Sequence, residues 1–371
     1  MKIKHLPVLF IISAIVCCQY SFGQLTGHQT GVITDFGKQL NADMVNDNLH
    51  GSISVAVIKN NRVIWAQAFG YANQKKDLPA DTNTIYRIGS VTKTFTATVL
   101  MQLVEEGRIK LDDPVETYVP EVKKLKGYSE NTKFTFRQLA SHTSGLKREP
   151  DVSGADDGPM DQWENKLLSV IPRTGFNSKP GEEFLYSNMG FAILGLALER
   201  ITRVSYIQMV KERIFIPLHM NDTFFAMTDN KLLRLAQGME NNNKGGTDVN
   251  TKVPLREIIG RGYRVPNGGI YSTPCDLAKF VISMMEKPYL LRPSSLREMQ
   301  SAPAGGKNYG LGLMFIHNRQ LDIIGHNGSV PGYTAQFLID QDSNYAVILM
   351  RNYNFGSTDL ERVALDLLKR L

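Results

Sequence analysis

The runs rich in β-branched and aromatic residues sit at the two ends of this 371-residue chain, and the helical periods lie between them. Near the start, GSISVAVIKNNRVIWAQAFGYA (51–72) holds two such runs around Asn60-Asn61. Asn tolerates the left-handed backbone that a tight turn requires, so this stretch reads as a strand hairpin. At the far end, YGLGLMFI (309–316), LDIIGHNG (321–328), YTAQFLID (333–340) and NYAVILMRN (344–352) read as strands, followed by a closing helix over 358–371. Strands at both ends with helices in the middle indicate one antiparallel sheet assembled from the two termini and flanked by helices, an α+β fold with an inserted, mostly helical domain. The sheet part takes in about 35–107 and 266–371, and the helical part about 108–265.

Helical spacing of Phe95, Val99, Leu103 and Val104, with Gly107 as terminator, predicts a helix over 91–106. FTFRQLASHTSGL reads as a helix capped near Thr135 and ended by a turn. NMGFAILGLALERIT (188–202) is apolar almost all round and is expected to be buried. The polar ENNNKGGTDVN (240–250) reads as an exposed loop, and no internal repeat is present.

Lys2 and Lys4 precede an apolar run from Leu6 to Cys18, and Ser21-Phe22-Gly23 supplies small residues where a signal peptidase cuts. The first 23 residues are expected to be an export signal, and the protein periplasmic or extracellular. A membrane span needs about 20 apolar residues, more than this run offers before Gln19. Cys17 and Cys18 allow lipid attachment, but "AIVC" fits the lipoprotein pattern poorly and this is the lesser reading. Cleavage removes two of the 42 basic residues and none of the 36 acidic ones, leaving a balance of +4. That excess is too mild to argue for nucleic acid. Only Cys275 survives, so no internal disulfide forms and the core must hold the fold.

Three short segments carry chemistry. In Ser90-Val91-Thr92-Lys93 a hydroxyl and an amine lie one helical turn apart and share a face. For Lys93 to act as a base near pH 7, its pKa must fall about three units from about 10.4, roughly 4 kcal/mol of desolvation and like-charge repulsion. The tetrapeptide alone is equally a serine capping a helix, and Ser90 is expected to do both jobs. In EFLYSNMG, Tyr186 and Asn188 can point into one cleft, the phenol as proton shuttle and the amide as hydrogen-bond donor, although Asn188 also suits a helix cap. In IIGHNGSVPGY an Ile-rich strand ends in His326-Asn327-Gly328; glycine lets a substrate approach, and the Ser329 amide can point at an acyl oxygen. By itself a histidine such as His326 is more often structural or on the surface than catalytic, and Asn-Gly is also a turn signal.

Together and in this order the segments resemble the serine β-lactamase and penicillin-binding (DD-peptidase) superfamily, in the branch of class C β-lactamases, DD-carboxypeptidases and related esterases. The resemblance spans about 35–370 and includes GRIKLDDPV (107–115), LASHTSGL (139–146), NGGIYSTPCDLAKF (267–280) and YGLGL (309–313). It implies a β-lactamase/transpeptidase-like fold, Ser90 as acylated nucleophile, Lys93 as its base, and Tyr186 as the proton carrier to leaving group and water. It further implies Asn188 as amide donor, His326, Asn327 and Gly328 bordering the substrate, and the amides of Ser90 and Ser329 as oxyanion hole. Most β-lactamases carry Lys-Thr-Gly where this chain has His326-Asn327-Gly328. With a reference pKa of about 6.5, His326 is expected to grip a substrate carboxylate weakly or in a pH-dependent way.

The expected activity is hydrolysis of an amide or ester in a small-molecule or peptide substrate, foremost DD-peptidase-like, with broad esterase or β-lactamase as alternatives. A non-catalytic penicillin- or ligand-binding protein is the alternative of another class. No Gly-x-Ser-x-Gly elbow is present, and His28, His50, His142, His219, His317 and His326 lack metal-ligand spacing. The glycines between 305 and 312 lack a phosphate-loop lysine, and His142 is placed in a structural turn. No metal or other cofactor is expected, and the motifs set no oligomeric state.

Overall fold

The computed structural model describes residues 25–47, 49–241, 247–249, 261–285, 289–317 and 320–371. The segment read as an export signal, with Cys17 and Cys18, lies outside these residues, as does part of the 240–250 stretch. No described helix is long and apolar enough to cross a membrane.

The strands are β1 (Ser52–Lys59), β2 (Arg62–Asn73), β3 (Leu78–Pro79), β4 (Tyr86–Arg87), β5 (Met239–Asn241), β6 (Thr247–Val249), β7 (Tyr271–Ser272), β8 (Met314–His317), β9 (Asp322–Val330), β10 (Tyr333–Asp340) and β11 (Tyr345–Arg351). Seven of them form the main sheet in the order β3-β2-β1-β11-β10-β9-β8, antiparallel throughout. The two ends of the chain meet where β1 pairs with β11, from Ile53 opposite Arg351 to Lys59 opposite Tyr345. Between β1 and β2, Asn60 and Asn61 both take positive φ, 48° and 62°, the left-handed pair a two-residue hairpin demands.

Helices cover both faces. Against one lie α1 (Gly27–Asp47) and, at the C-terminus, a helix over Leu360–Arg370. There Phe36 meets Trp65 edge-on at 6.2 Å in a core with Val55, Leu349 and Leu367. Against the other face lies α2 (Thr92–Glu105), a helix buried nearly all round, with α3 (Phe136–Ala140), α4 (Trp163–Val170) and α5 (Asn188–Thr202) beyond it. Phe95 of α2 stacks on Phe280 at 3.7 Å.

Burial of α2 raises a question of polar satisfaction, because it carries Thr94, Thr96 and Thr98 inside the core. Thr98 Oγ1 donates back to Thr94 O at 2.9 Å. Thr94 Oγ1 donates to Gly312 O at 2.8 Å and Thr96 Oγ1 to Pro266 O at 2.6 Å. These two bonds tie the short helix Val265–Gly268 and the 312 loop to the helix that bears the motif lysine.

Three differences from the sequence reading have local causes. Residues 309–313 are not strand: Gly310 N donates to Leu313 O at 2.9 Å in a tight turn, and β8 begins only at Met314. Within the stretch read as an open loop, β5 and β6 pair. The helix α1 was not anticipated; it contains Gly31 and Gly37, and has no acidic residue in its first turn and no basic residue in its last.

Candidate active site

Ser90 sits in a single 3-10 turn, Gly89–Val91, immediately before α2. Neither this turn nor α2 uses a side-chain cap, so Ser90 is not the capping residue the sequence suggested. Its half-buried hydroxyl lies 3.1 Å from Lys93 Nζ and also hydrogen-bonds the Tyr186 phenol. Gly89 has φ +51°, and the Cβ of any other residue there would stand 3.2 Å from Ser329 N.

Lys93 is fully buried. Its Nζ donates to Asn267 O at 2.9 Å and sits 4.8 Å from the centroid of the Tyr186 ring and 5.7 Å from that of Phe191. Desolvation drives its pKa well below the usual lysine range; the charge of Glu149 opposes this, while Arg148 and Arg264 add to it. A neutral amine with one N–H directed at Asn267 O keeps a lone pair for the Ser90 proton. Asn267, brought there by the Thr96 bond to Pro266, acts through its backbone carbonyl, and no side-chain pattern announces such a role.

Tyr186 precedes the cap of α5. That cap is Ser187, whose Oγ accepts from Gly190 N at 2.9 Å and donates to Lys147 O at 2.8 Å, so Asn188 is the first helical residue. His142, in the left-handed region at φ 60°, accepts from Ser187 N through Nδ1 at 3.0 Å and lies 4.1 Å from the Tyr186 ring. It thus packs the phenol in place from behind. Burial pushes the Tyr186 pKa up to about 12, so the group is a phenol and not a phenolate at rest. The amide donor expected of Asn188 is taken by Glu149: Nδ2 donates to Oε1 at 2.5 Å. Asn188 Oδ1 is buried and has no hydrogen-bond partner among the described residues.

The third segment lies on β9. Its neighbour β8 reaches only to Gly325, and the Gly89–Val91 turn occupies the space beside 326–330. Gly328 is essential to that fit, since a Cβ there would meet Ile88 O at 2.1 Å and Ser90 N at 2.8 Å. Asn327 and Ser329 are exposed, and Ser329 lines the cleft at Ser90. His326, by contrast, is 1% exposed and faces the interior. Its Nδ1 contacts Asn327 O at 2.5 Å and its Nε2 lies 2.8 Å from the Tyr309 hydroxyl. That pairing makes Nδ1 the donor and Nε2 the acceptor of the phenol proton. Desolvation, reinforced by Lys93, lowers its pKa to about 3. A protonated His326 gripping substrate, as the sequence suggested, does not fit this geometry.

A cavity of about 250 Å³ opens at Ser90, walled by Arg148, Glu149, Asn188, Arg264, Ser329 and others. Grooves of about 420 Å³ against α1 and about 430 Å³ beside Phe215 are larger but contain none of the motif residues. The motif chemistry, not size, selects the smaller cavity. Arg148, Glu149 and Arg264 border the cavity but lie outside the motifs, while Asn267 and Tyr309 begin segments quoted for the resemblance without a role assigned to them.

A serine at a helix start, a buried lysine one turn on, a phenol on the same hydroxyl and a glycine-bearing strand beside it define a class: the superfamily of penicillin-binding proteins, β-lactamases and D-amino acid amidases. The Beta-lactamase family model matches residues 40–369, and the chain belongs to that family. Protein flp of Staphylococcus aureus (strain N315) is 28% identical over 334 residues, 88% of this chain and 65% of its own length. Beta-lactamase-like protein 4 of Dictyostelium discoideum is 30% identical over 348 residues, 85% of this chain and 59% of its own. The chain therefore spans somewhat less than two thirds of these relatives. Among solved structures, the octameric penicillin-binding protein homologue from Pyrococcus abyssi superposes with TM-score 0.75 at 27% identity, covering 91% of this chain and 76% of that one. The D-amino acid amidase from Ochrobactrum anthropi SV3 does so with TM-score 0.74 at 25% identity, covering 91% and 97%.

Proposed function

We propose that this chain is an exported serine hydrolase that forms an acyl-enzyme at Ser90 and cleaves amide bonds in small or peptidic substrates containing D-amino acids. The observation that carries the reading is Lys93: a fully buried amine 3.1 Å from the Ser90 hydroxyl, its pKa driven well below the usual lysine range by desolvation. Ser90 Oγ attacks the carbonyl carbon as its proton passes to Lys93 Nζ. The carbonyl oxygen becomes an oxyanion between the amides of Ser90 and Ser329, which the close fit of Gly89 and Gly328 holds on facing segments. Tyr186, a phenol hydrogen-bonded to Ser90, relays the proton to the leaving nitrogen, whose bond to the acyl carbon then breaks. Water enters, loses its proton by the reverse route, and releases the acid from Ser90.

The amide preference draws on two structural relatives, named a D-amino acid amidase and a D-stereospecific amidohydrolase, at 25% and 26% identity. It draws also on β9, which supplies no cation of the kind Lys-Thr-Gly offers. Release of ammonia from D-phenylalanine amide and its L enantiomer, run beside nitrocefin and p-nitrophenyl acetate, tests the reading. The D-amide is expected to be the better amide substrate. Equal cleavage of both enantiomers, or turnover of the ester or cephalosporin alone, counts against it.

A further inference from the structure

We propose that the cavity beside Ser90 receives a negatively charged group on the acyl part of the substrate, and that Arg148 holds it; this rests on Ser90 being the acylated nucleophile. Tyr186 and Lys93 approach Ser90 but are not part of the cavity wall, which runs from Ser90 past Asn188 and Ser329 to Arg148 and Arg264. A leaving group protonated through Tyr186 departs on the Tyr186 side. The acyl part, which stays bonded to Ser90, is assigned to the cavity that Ser90 itself lines.

The wall carries four guanidinium groups, those of Arg87, Arg148, Arg261 and Arg264, against two carboxylates, Glu149 and Asp156. Both carboxylates are bound to Arg264, at 3.1 Å each. Glu149 also accepts from Asn188 Nδ2 at 2.5 Å and from the Tyr263 hydroxyl. Both acids are thus engaged by Arg264, and neither pairs with Arg148. Arg261 is buried, donating to Gly268 O at 3.2 Å and lying 4.4 Å over the Tyr271 ring.

Arg148 differs. It is exposed, its guanidinium lies 4.8 Å from the centroid of the Tyr186 ring, and no carboxylate among the described residues is within ion-pair distance of it. Its backbone is fixed, since Arg148 O accepts from Asn188 N at 2.9 Å and from Met189 N at 3.3 Å. A planar fork resting on a ring, rooted in a rigid segment and facing a cavity, suits a carboxylate. The strand wall opposite supplies no competing cation, because the His326 ring is buried against Tyr309. The substrate class is thus an amide or peptide whose acyl half bears a carboxylate.

N-succinyl-D-alanine p-nitroanilide and N-butyryl-D-alanine p-nitroanilide share a neutral leaving group and differ in charge only on the acyl side. Wild-type kcat/KM is expected to favour the succinyl compound about 10- to 100-fold, the worth of a charged hydrogen-bonded pair. Arg148→Gln should collapse that ratio toward one, and Arg148→Lys should restore part of it. A wild-type ratio near one, or an Arg148→Gln variant that slows both compounds with the ratio intact, overturns the inference while leaving the hydrolase reading in place. If neither compound is cleaved and a fluorophosphonate probe leaves Ser90 unlabelled, the hydrolase reading falls, and this inference with it.

Discussion

Replacing Gly328 by alanine adds one methyl group at the point where β9 touches the nucleophile turn. The new Cβ would lie 2.1 Å from Ile88 O and 2.8 Å from Ser90 N, the first at least 0.9 Å inside the 3.0 Å that real Cβ contacts keep. Both neighbours are backbone, so no side chain can swing away. Either β9 or the Gly89–Val91 turn must shift by nearly an ångström, and each carries one of the two proposed oxyanion amides. Misplacement on that scale costs about 10² in rate, and loss of one donor about 10² to 10³. The fold is expected to lose only about 1–3 kcal/mol, the usual cost of overpacking. Gly325→Ala is the matched control, because its Cβ would meet Phe337 O at 2.2 Å on the same strand, three residues from the site. Acylation rates and urea unfolding, measured on both variants, separate the effects. Gly328→Ala should lose about 10² more rate than Gly325→Ala at comparable stability. Rates for Gly328→Ala within threefold of wild type would refute the reasoning.

For a neutral substrate, kcat/KM should rise with pH as Lys93 sheds its proton well below the usual lysine range, and show no fall up to pH 9, since Tyr186 ionises only near 12. A rate that begins to rise only above pH 9 would mean that Lys93 is an ordinary cation. No inflection from His326 is expected between pH 5 and 8, because its pKa lies at about 3; a break at 6.5 that Tyr309→Phe displaces would contradict the buried, neutral ring. Away from the site, burial and the neighbouring Glu164 push the pKa of Glu199 up to about 8. Its ionised form is disfavoured by folding, so stability falls as pH rises from about 4.5 toward 8. Glu199→Gln, which retains an acceptor for Tyr206 N, should gain on the order of 1 kcal/mol at pH 8 and little at pH 5, a half-exposed site delivering far less than the full shift. Equal urea midpoints for variant and wild type at pH 8 would dismiss that strain.

What could be read in advance was whatever repeats along the chain. Two asparagines marked the β1–β2 turn, alternation and β-branching marked β9, β10 and β11, and an apolar run bounded the buried α5. Glycine-rich 309–313 looked like strand because its Tyr and Leu residues alternate, yet Gly310 and Gly312 serve a turn that closes on α2 and α3. Within the candidate site, the nearness of Ser90 and Lys93 was legible because two side chains three positions apart share a helix face, and Tyr186 was singled out from its neighbours in EFLYSNMG. The carbonyl of Asn267 was not, being backbone. Glu149 pairs with Arg264 across 115 positions, and such a contact exists only once the chain has folded. The orientation of His326 was hidden for another reason: the motif names the residue, but strand register against Phe337 decides which face of β9 it occupies.

In the proposed mechanism Ser90 is the residue acylated and Lys93 the base that activates it. The most direct test is an intact-mass time course of the protein with a penicillin, beside Ser90→Ala, with hydrolysed penicillin assayed in the same tubes and any adduct located by peptide mapping. An adduct on the Ser90 peptide is expected that persists, is absent from the variant and comes with little free product. An adduct of equal yield on Ser90→Ala, or one mapping to another residue, would contradict it.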